Sequence, residues 1–93
     1  MTTASQQVAG ALGKPERYVM VSIQASVAML FGGQGTPLAY LELKSIGLQE
    51  SQSTELSAML CQLMNDYAIP SDRVYIEFTD APRKMWGWNG GTF

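Results

Sequence analysis

Apolar and polar residues alternate along three stretches of this chain and recur at helical spacing along two others. Residues 18–25 place Val19, Val21, Ile23 and Ala25 on one side and Tyr18, Met20, Ser22 and Gln24 on the other, the period-two signature of a strand. Residues 38–46 alternate in the same way, Ala39, Leu41 and Leu43 against Leu38, Tyr40, Glu42 and Lys44, until Gly47 ends the run. In residues 72–79, Val74, Ile76 and Phe78 oppose Arg73, Tyr75, Glu77 and Thr79. Ala4, Val8, Ala11 and Leu12 predict a short helix over residues 4–12; Gly13 suits the position just past its end, and Pro15 forbids continuation. A stronger helix is predicted from Ser51 or Ser53, with a serine cap and Glu55 in its first turn. Its apolar face carries Leu56, Met59, Leu60, Leu63, Met64 and Tyr67, and Pro70 stops it.

The predicted order is helix, strand, strand, helix, strand, tail, in one domain spanning residues 1–93. Each strand has one aliphatic and one mixed face, so the helices should cover a single side of one sheet. The second helix separates two strands by a crossover long enough for a parallel βαβ unit. The first helix precedes a similar strand, yet no strand precedes it, so the chain reads as two βαβ halves lacking the first strand of the first half. The closing Trp86-Gly87-Trp88-Asn89-Gly90-Gly91-Thr92-Phe93 is rich in large rings and in glycine. Such a tail cannot build a core alone; its rings must lie on its own sheet or on a neighbour's.

Composition narrows the chemistry. There is no His and a single Cys, which removes imidazole acid–base work, disulfide frameworks and the usual zinc ligand sets, so no metal or organic cofactor is expected. A net charge of −2 with scattered basic residues argues against nucleic acid as a partner. No apolar run approaches the ~20 residues a membrane-spanning helix needs, and the first residues lack the basic and apolar segments of a signal peptide. Gly32-Gly33-Gln34-Gly35 reads as a turn, since it lacks the Lys-Ser/Thr of a phosphate cradle. Cys61 flanks the apolar face of the second helix with no base in sequence reach, as a packed thiol would. Lys14, held between Gly13 and Pro15, is either a solvated lysine favouring the helix C-terminus or an anion-binding residue. Tyr75 and Glu77 share the mixed face of the last strand, where they could orient a substrate or simply line packed sheets.

Several motifs then converge. Gly13-Lys14-Pro15, Tyr18, Phe31-Gly32-Gly33, Ser45-Ile46-Gly47, Ile69-Pro70-Ser71-Asp72-Arg73-Val74-Tyr75-Ile76 and Gly87-Trp88-Asn89-Gly90-Gly91-Thr92-Phe93 resemble, in order and spacing, the macrophage migration inhibitory factor family of the tautomerase superfamily. The resemblance implies an α+β fold of βαβ repeats, with helices on one face of a mixed sheet. It also implies a homotrimer whose C-terminal tails reach onto neighbouring subunits. The activity implied is keto–enol tautomerisation of phenylpyruvate-like and dopachrome-like substrates, small aromatic keto acids. Some animal members are cytokines secreted without a signal peptide, so the expected location is cytoplasmic or exported in that way.

By the same resemblance, Lys14 would pair with the substrate carboxylate and the Ile46 backbone would lie near it. Tyr75 would come from a neighbouring subunit, and Tyr18, Trp86, Trp88 and Phe93 would supply aromatic walls. Two departures stand out. Glu77 occupies a position where well-known members carry a neutral Asn. The family's base, an N-terminal proline on a first strand, has no counterpart here, because Met1 falls inside the family's first helix. No catalytic residue is therefore assigned, weak turnover is expected, and residues 18–25 are expected to lack a strand partner. The alternative is a non-catalytic trimeric interaction module of cytokine type.

Overall fold

The computed structural model describes residues 1–93. Helix α1 spans Thr2–Leu12, β1 Ala39–Ile46, α2 Glu50–Asn65, β2 Val74–Ala81, and the short strands β3 and β4 Gly87–Trp88 and Gly91–Thr92. β1 and β2 pair in parallel from Ala39↔Val74 to Ile46↔Ala81, and α2 is the crossover between them. β3 and β4 form a separate antiparallel hairpin. Two helices with parallel and antiparallel strands give the α+β class that the resemblance implies.

Both helices cover one face of the parallel pair. Leu43, Leu48, Leu56 and Leu60 form the core, with Val8 and Leu12 of α1, Met59 of α2, and Leu41, Ile76 and Phe78 of the strands packed against it. Leu56 is the most deeply buried large side chain, at 1 % exposure. Removing a leucine of this kind from water contributes about 1.5–3 kcal/mol. The alternation read from the strands holds: Tyr40, Glu42, Lys44, Tyr75 and Glu77 are exposed on the face away from the helices.

The helix ends follow local chemistry. α1 closes with Gly13 at φ 67°, where the Gly13 N–H donates to the Gly10 carbonyl and the Lys14 N–H to the Ala9 carbonyl. This pair of bonds satisfies carbonyls that the helix itself leaves open. α2 starts earlier than the serine signal suggests: Gln49 precedes it, and Gln52 Oε1 accepts from the Gln49 N–H at 2.9 Å. A glutamine thus performs the reciprocal capping usually read from serine or threonine, and Glu50 rather than Glu55 meets the helix dipole. At its other end α2 stops at Asn65, before Pro70, and Tyr67 lies beyond it, exposed. The chain turns over at Ala68, φ 61°, with the Ile69 N–H donating to the Met64 carbonyl and the Ala68 N–H to Asn65.

One expected element is absent. Tyr18 ends a 3-10 turn, Glu16–Tyr18, and residues 18–25 form no strand. No backbone–backbone hydrogen bond involves residues 20–30. Met20 is 95 % and Leu30 71 % exposed. Alternation supplies a pleated shape, but a strand also needs a ladder partner, and β1 shares its ladder only with β2.

Candidate functional site

Lys14 sits where the end of α1 meets the end of β1. The Gly13 turn delivers it and Pro15 directs the chain away into the 3-10 turn. Its Nζ donates to Ser45 Oγ at 2.9 Å and to the Ile46 carbonyl at 2.7 Å. Ser45 is buried, and Ile46 is the last residue of β1, so both acceptors are fixed by the ladder. An ammonium has three donors. Two are committed here, and the third is open. Lys14 is thus a half-buried cation oriented by two acceptors rather than a freely solvated one.

Along the chain, the 3-10 turn Glu16–Tyr18 leads from Lys14 to an aromatic group. Tyr18 meets Trp88 and Phe93 edge-on, each with ring centroids 6.0 Å away, while Trp88 and Phe93 stack at 5.6 Å and 23°. The tail can bend back because Asn89 and Gly90 both adopt positive φ, 52° and 80°, closing a two-residue hairpin. The Phe93 N–H donates to the Trp86 carbonyl at 3.2 Å, so Trp86 anchors the hairpin through its backbone, and its ring takes no part in the cluster. The tail's rings therefore lie on Tyr18 of their own chain. The Arg17 guanidinium lies 4.8 Å above the Tyr18 ring.

Tyr75 is not part of this group. It pairs in register with Tyr40, five residues before Ser45, which at ~3.3 Å per residue puts it about 16 Å away along the strands. Its ring packs on Phe31, centroids 4.5 Å apart, and it is 65 % exposed. Beside this pair is a cleft of about 430 Å³ lined mainly by apolar side chains, among them Met29, Leu30 and Leu38. Glu77 is in register with Glu42 on the exposed face, and the Tyr40 hydroxyl faces both carboxylates at 3.3 Å. Partial desolvation, then the Glu77 and Glu42 charges, raise the Tyr40 hydroxyl above its ordinary phenol value.

Two contributors escape the sequence pattern. Ser45, the partner of Lys14, looks like an ordinary strand residue. Arg73 reads as one more polar position on a strand, but lies in the 3-10 turn Ser71–Arg73 and reaches back to residues 31–36. Asn89-Gly90 did carry a signal, since this dipeptide favours two-residue hairpins. Elsewhere, a cleft of about 630 Å³ follows α2 past Ser57, Cys61 and Asn65 to Phe78, with no charged side chain in its lining. No group of three His, Cys, Asp or Glu side chains is placed to hold a metal ion, and no helix is long and apolar enough to cross a membrane.

Known proteins resemble this chain in sequence and in fold. The macrophage migration inhibitory factor family profile matches residues 1–93. The macrophage migration inhibitory factor homolog of Brugia malayi is 41% identical over 95 aligned positions, spanning 97% of this chain and 80% of that protein. The rat (Rattus norvegicus) factor is 39% identical, spanning 100% of this chain and 83% of its own length. Among solved structures, the Prochlorococcus marinus homologue superposes with a TM-score of 0.94 at 47% identity, covering 99% of this chain and 82% of that one. The factor from Trichinella spiralis superposes at 0.95 with 37% identity, covering 99% and 83%. The chain belongs to the macrophage migration inhibitory factor family.

Proposed function

We propose that this chain binds a small aromatic 2-keto acid of the phenylpyruvate type, at a keto–enol tautomerase site shared between the copies of a homotrimer. The observation that carries this reading is the Lys14 ammonium, held by Ser45 Oγ and the Ile46 carbonyl with one donor to spare, on a segment that leads within four residues to Tyr18, whose ring meets Trp88 and Phe93. A cation beside ring surfaces suits a ligand that joins a carboxylate to a phenyl group. Lys14 is the carboxylate anchor, the Ile46 backbone orients it, and Tyr18, Trp88 and Phe93 are the walls, with Trp86 at their base. Tyr75, remote from its own chain's Lys14, serves the site of a neighbouring copy.

Proton abstraction beside a carbonyl needs a base within about 2.6–3.2 Å of the proton's carrier. Lys14 has only Ser45 Oγ and the Ile46 carbonyl as hydrogen-bond partners, and neither is such a base. The reading therefore assigns these residues substrate binding. A second reading, a non-catalytic trimeric interaction module, makes no use of the oriented Lys14 ammonium. Phenylpyruvate titration followed by Trp fluorescence tests the first: saturable quenching that Lys14→Ala weakens at least tenfold, about 1.4 kcal/mol, is expected. Quenching indifferent to Lys14 would remove the keto-acid reading and leave the interaction module.

A further inference from the structure

The turn that follows the extended segment is built unusually firmly. Phe31 and Gln34 exchange backbone hydrogen bonds of 3.0 and 3.2 Å across Gly32 and Gly33, both at positive φ. Arg73 then grips this turn from the far end of the chain. Its Nη1 donates to the Phe31 carbonyl at 2.8 Å, and its Nη2 to the Gln34 and Thr36 carbonyls at 3.0 and 3.1 Å. The guanidinium also lies 5.1 Å from the centroid of the Phe31 ring, whose other neighbour is the Tyr75 ring. A guanidinium is planar and forked, so three carbonyls fix its orientation as well as its place.

Tyr75 gains from this arrangement. It is two residues past Arg73, at the start of β2, and its ring projects from the exposed face of the sheet. An exposed tyrosine ring ordinarily samples several rotamers. Here the Phe31 ring is its packing surface, and Arg73 holds the turn that carries Phe31. We propose that Arg73 is the positioning residue of Tyr75: by clamping residues 31–36 it presets the Tyr75 ring in the orientation that a second copy's Lys14 site receives. The inference rests on the shared-site function proposed above, and adds to it the group that sets the trans contribution in place.

A binding cycle tests it, with phenylpyruvate as the probe. Arg73→Ala should weaken binding on the order of tenfold, the size expected when an aromatic contact is lost. In a Tyr75→Leu background the same substitution should do nothing further, because both changes remove one effect. A merely structural role would instead give additive losses. Phe31→Leu, which leaves the clamp intact, should reproduce the loss, and Phe31→Tyr should restore wild-type affinity; these variants keep the test open where Arg73→Ala fails to fold. NMR relaxation of the Tyr75 ring in the unliganded protein should show faster motion in Arg73→Ala and Phe31→Leu. Additive losses, or an unchanged Tyr75 ring, overturn the inference. If Lys14→Ala weakens binding while Arg73→Ala does not, the positioning role falls and the site stands. Binding indifferent to Lys14 removes the site and the role together.

Discussion

The two halves of this chain repeat one local device and meet different fates. After α1 come Gly13 at φ 67°, Pro15 extended at ψ 136°, a 3-10 turn over Glu16–Tyr18, and extended backbone at Val19. After α2 come Ala68 at φ 61°, Pro70 extended at ψ 149°, a 3-10 turn over Ser71–Arg73, and extended backbone at Val74. The apolar alternation that follows is equally clear in both. Yet Val74–Ala81 forms a full parallel ladder with β1, while residues 20–30 make no backbone hydrogen bond at all. Local sequence therefore sets the shape and direction of an extended segment, and only a neighbouring strand turns that shape into a strand.

The largest expected effect lies in the well-paired half. Leu56→Ala should lower unfolding free energy by about 2–5 kcal/mol, measured by urea denaturation. Ile23→Ala, in the unpaired half and 60 % exposed, should stay within about 0.5 kcal/mol in dilute solution. A loss at Ile23 rivalling that at Leu56 would break the comparison, because it would mean that another surface covers the segment. Amide hydrogen exchange sharpens the same contrast: β1 and β2 should be protected and residues 20–30 should exchange fast.

A smaller effect tests the junction between the halves. Lys14→Met should cost about 1–3 kcal/mol, because it strips the ammonium from the buried Ser45 hydroxyl and the Ile46 carbonyl. Thermal melts of Lys14→Met and Lys14→Met/Ser45→Ala should differ little if Ser45 serves only this lysine.

The two turn-overs give opposite predictions of comparable size. Ala68 accepts a left-handed conformation that disfavours an L-residue by roughly 1–2 kcal/mol, so Ala68→Gly should stabilise by about 0.5–1 kcal/mol after the glycine's extra freedom when unfolded. Gly13→Ala should destabilise by about 1 kcal/mol, through conformation alone, since a Cβ there meets no atom within 4 Å. Equal and like-signed shifts would sink the idea that both ends use one device.

The weakest expected effect is electrostatic. The Tyr40 hydroxyl is raised above its ordinary value by desolvation and by Glu77 and Glu42, so the folded state holds that proton longer than the unfolded chain does. Stability should be unaffected below the unfolded value and fall as pH rises through the folded one, at roughly pH 10 and above. Melting curves of Tyr40→Phe across that range should lack this component.

Much of this was legible in the sequence because it depends on spacing. β1, β2, both helices and the Gly13 turn-over follow from periodicity and breakers. The Gln49 start of α2 was hidden, since glutamine is a rare cap, and so was Ala68, which stands where glycine would announce a helix end. Lys14 could be singled out by its rigid neighbours, but its partner Ser45 could not, because a buried serine in an alternating run carries no label. For residues 18–25 the alternation predicted a strand and the resemblance its missing partner; the structure has neither strand nor partner, because pairing is a tertiary fact. Arg73 is the same lesson in reverse, since its three acceptors lie at sequence separations of 37 to 42.

The parallel register has a consequence for how preparations of this protein should be judged. Sliding β1 by one residue would turn its alternate faces over, offering Lys14 the cationic Lys44 or the apolar side chain of Ile46 in place of the Ser45 hydroxyl. Such a chain would keep both helices and an ordinary circular dichroism spectrum, yet carry no oriented ammonium. On the function proposed above, phenylpyruvate affinity per folded chain gauges register fidelity, and a batch that looks native by helix content alone can be sorted by it.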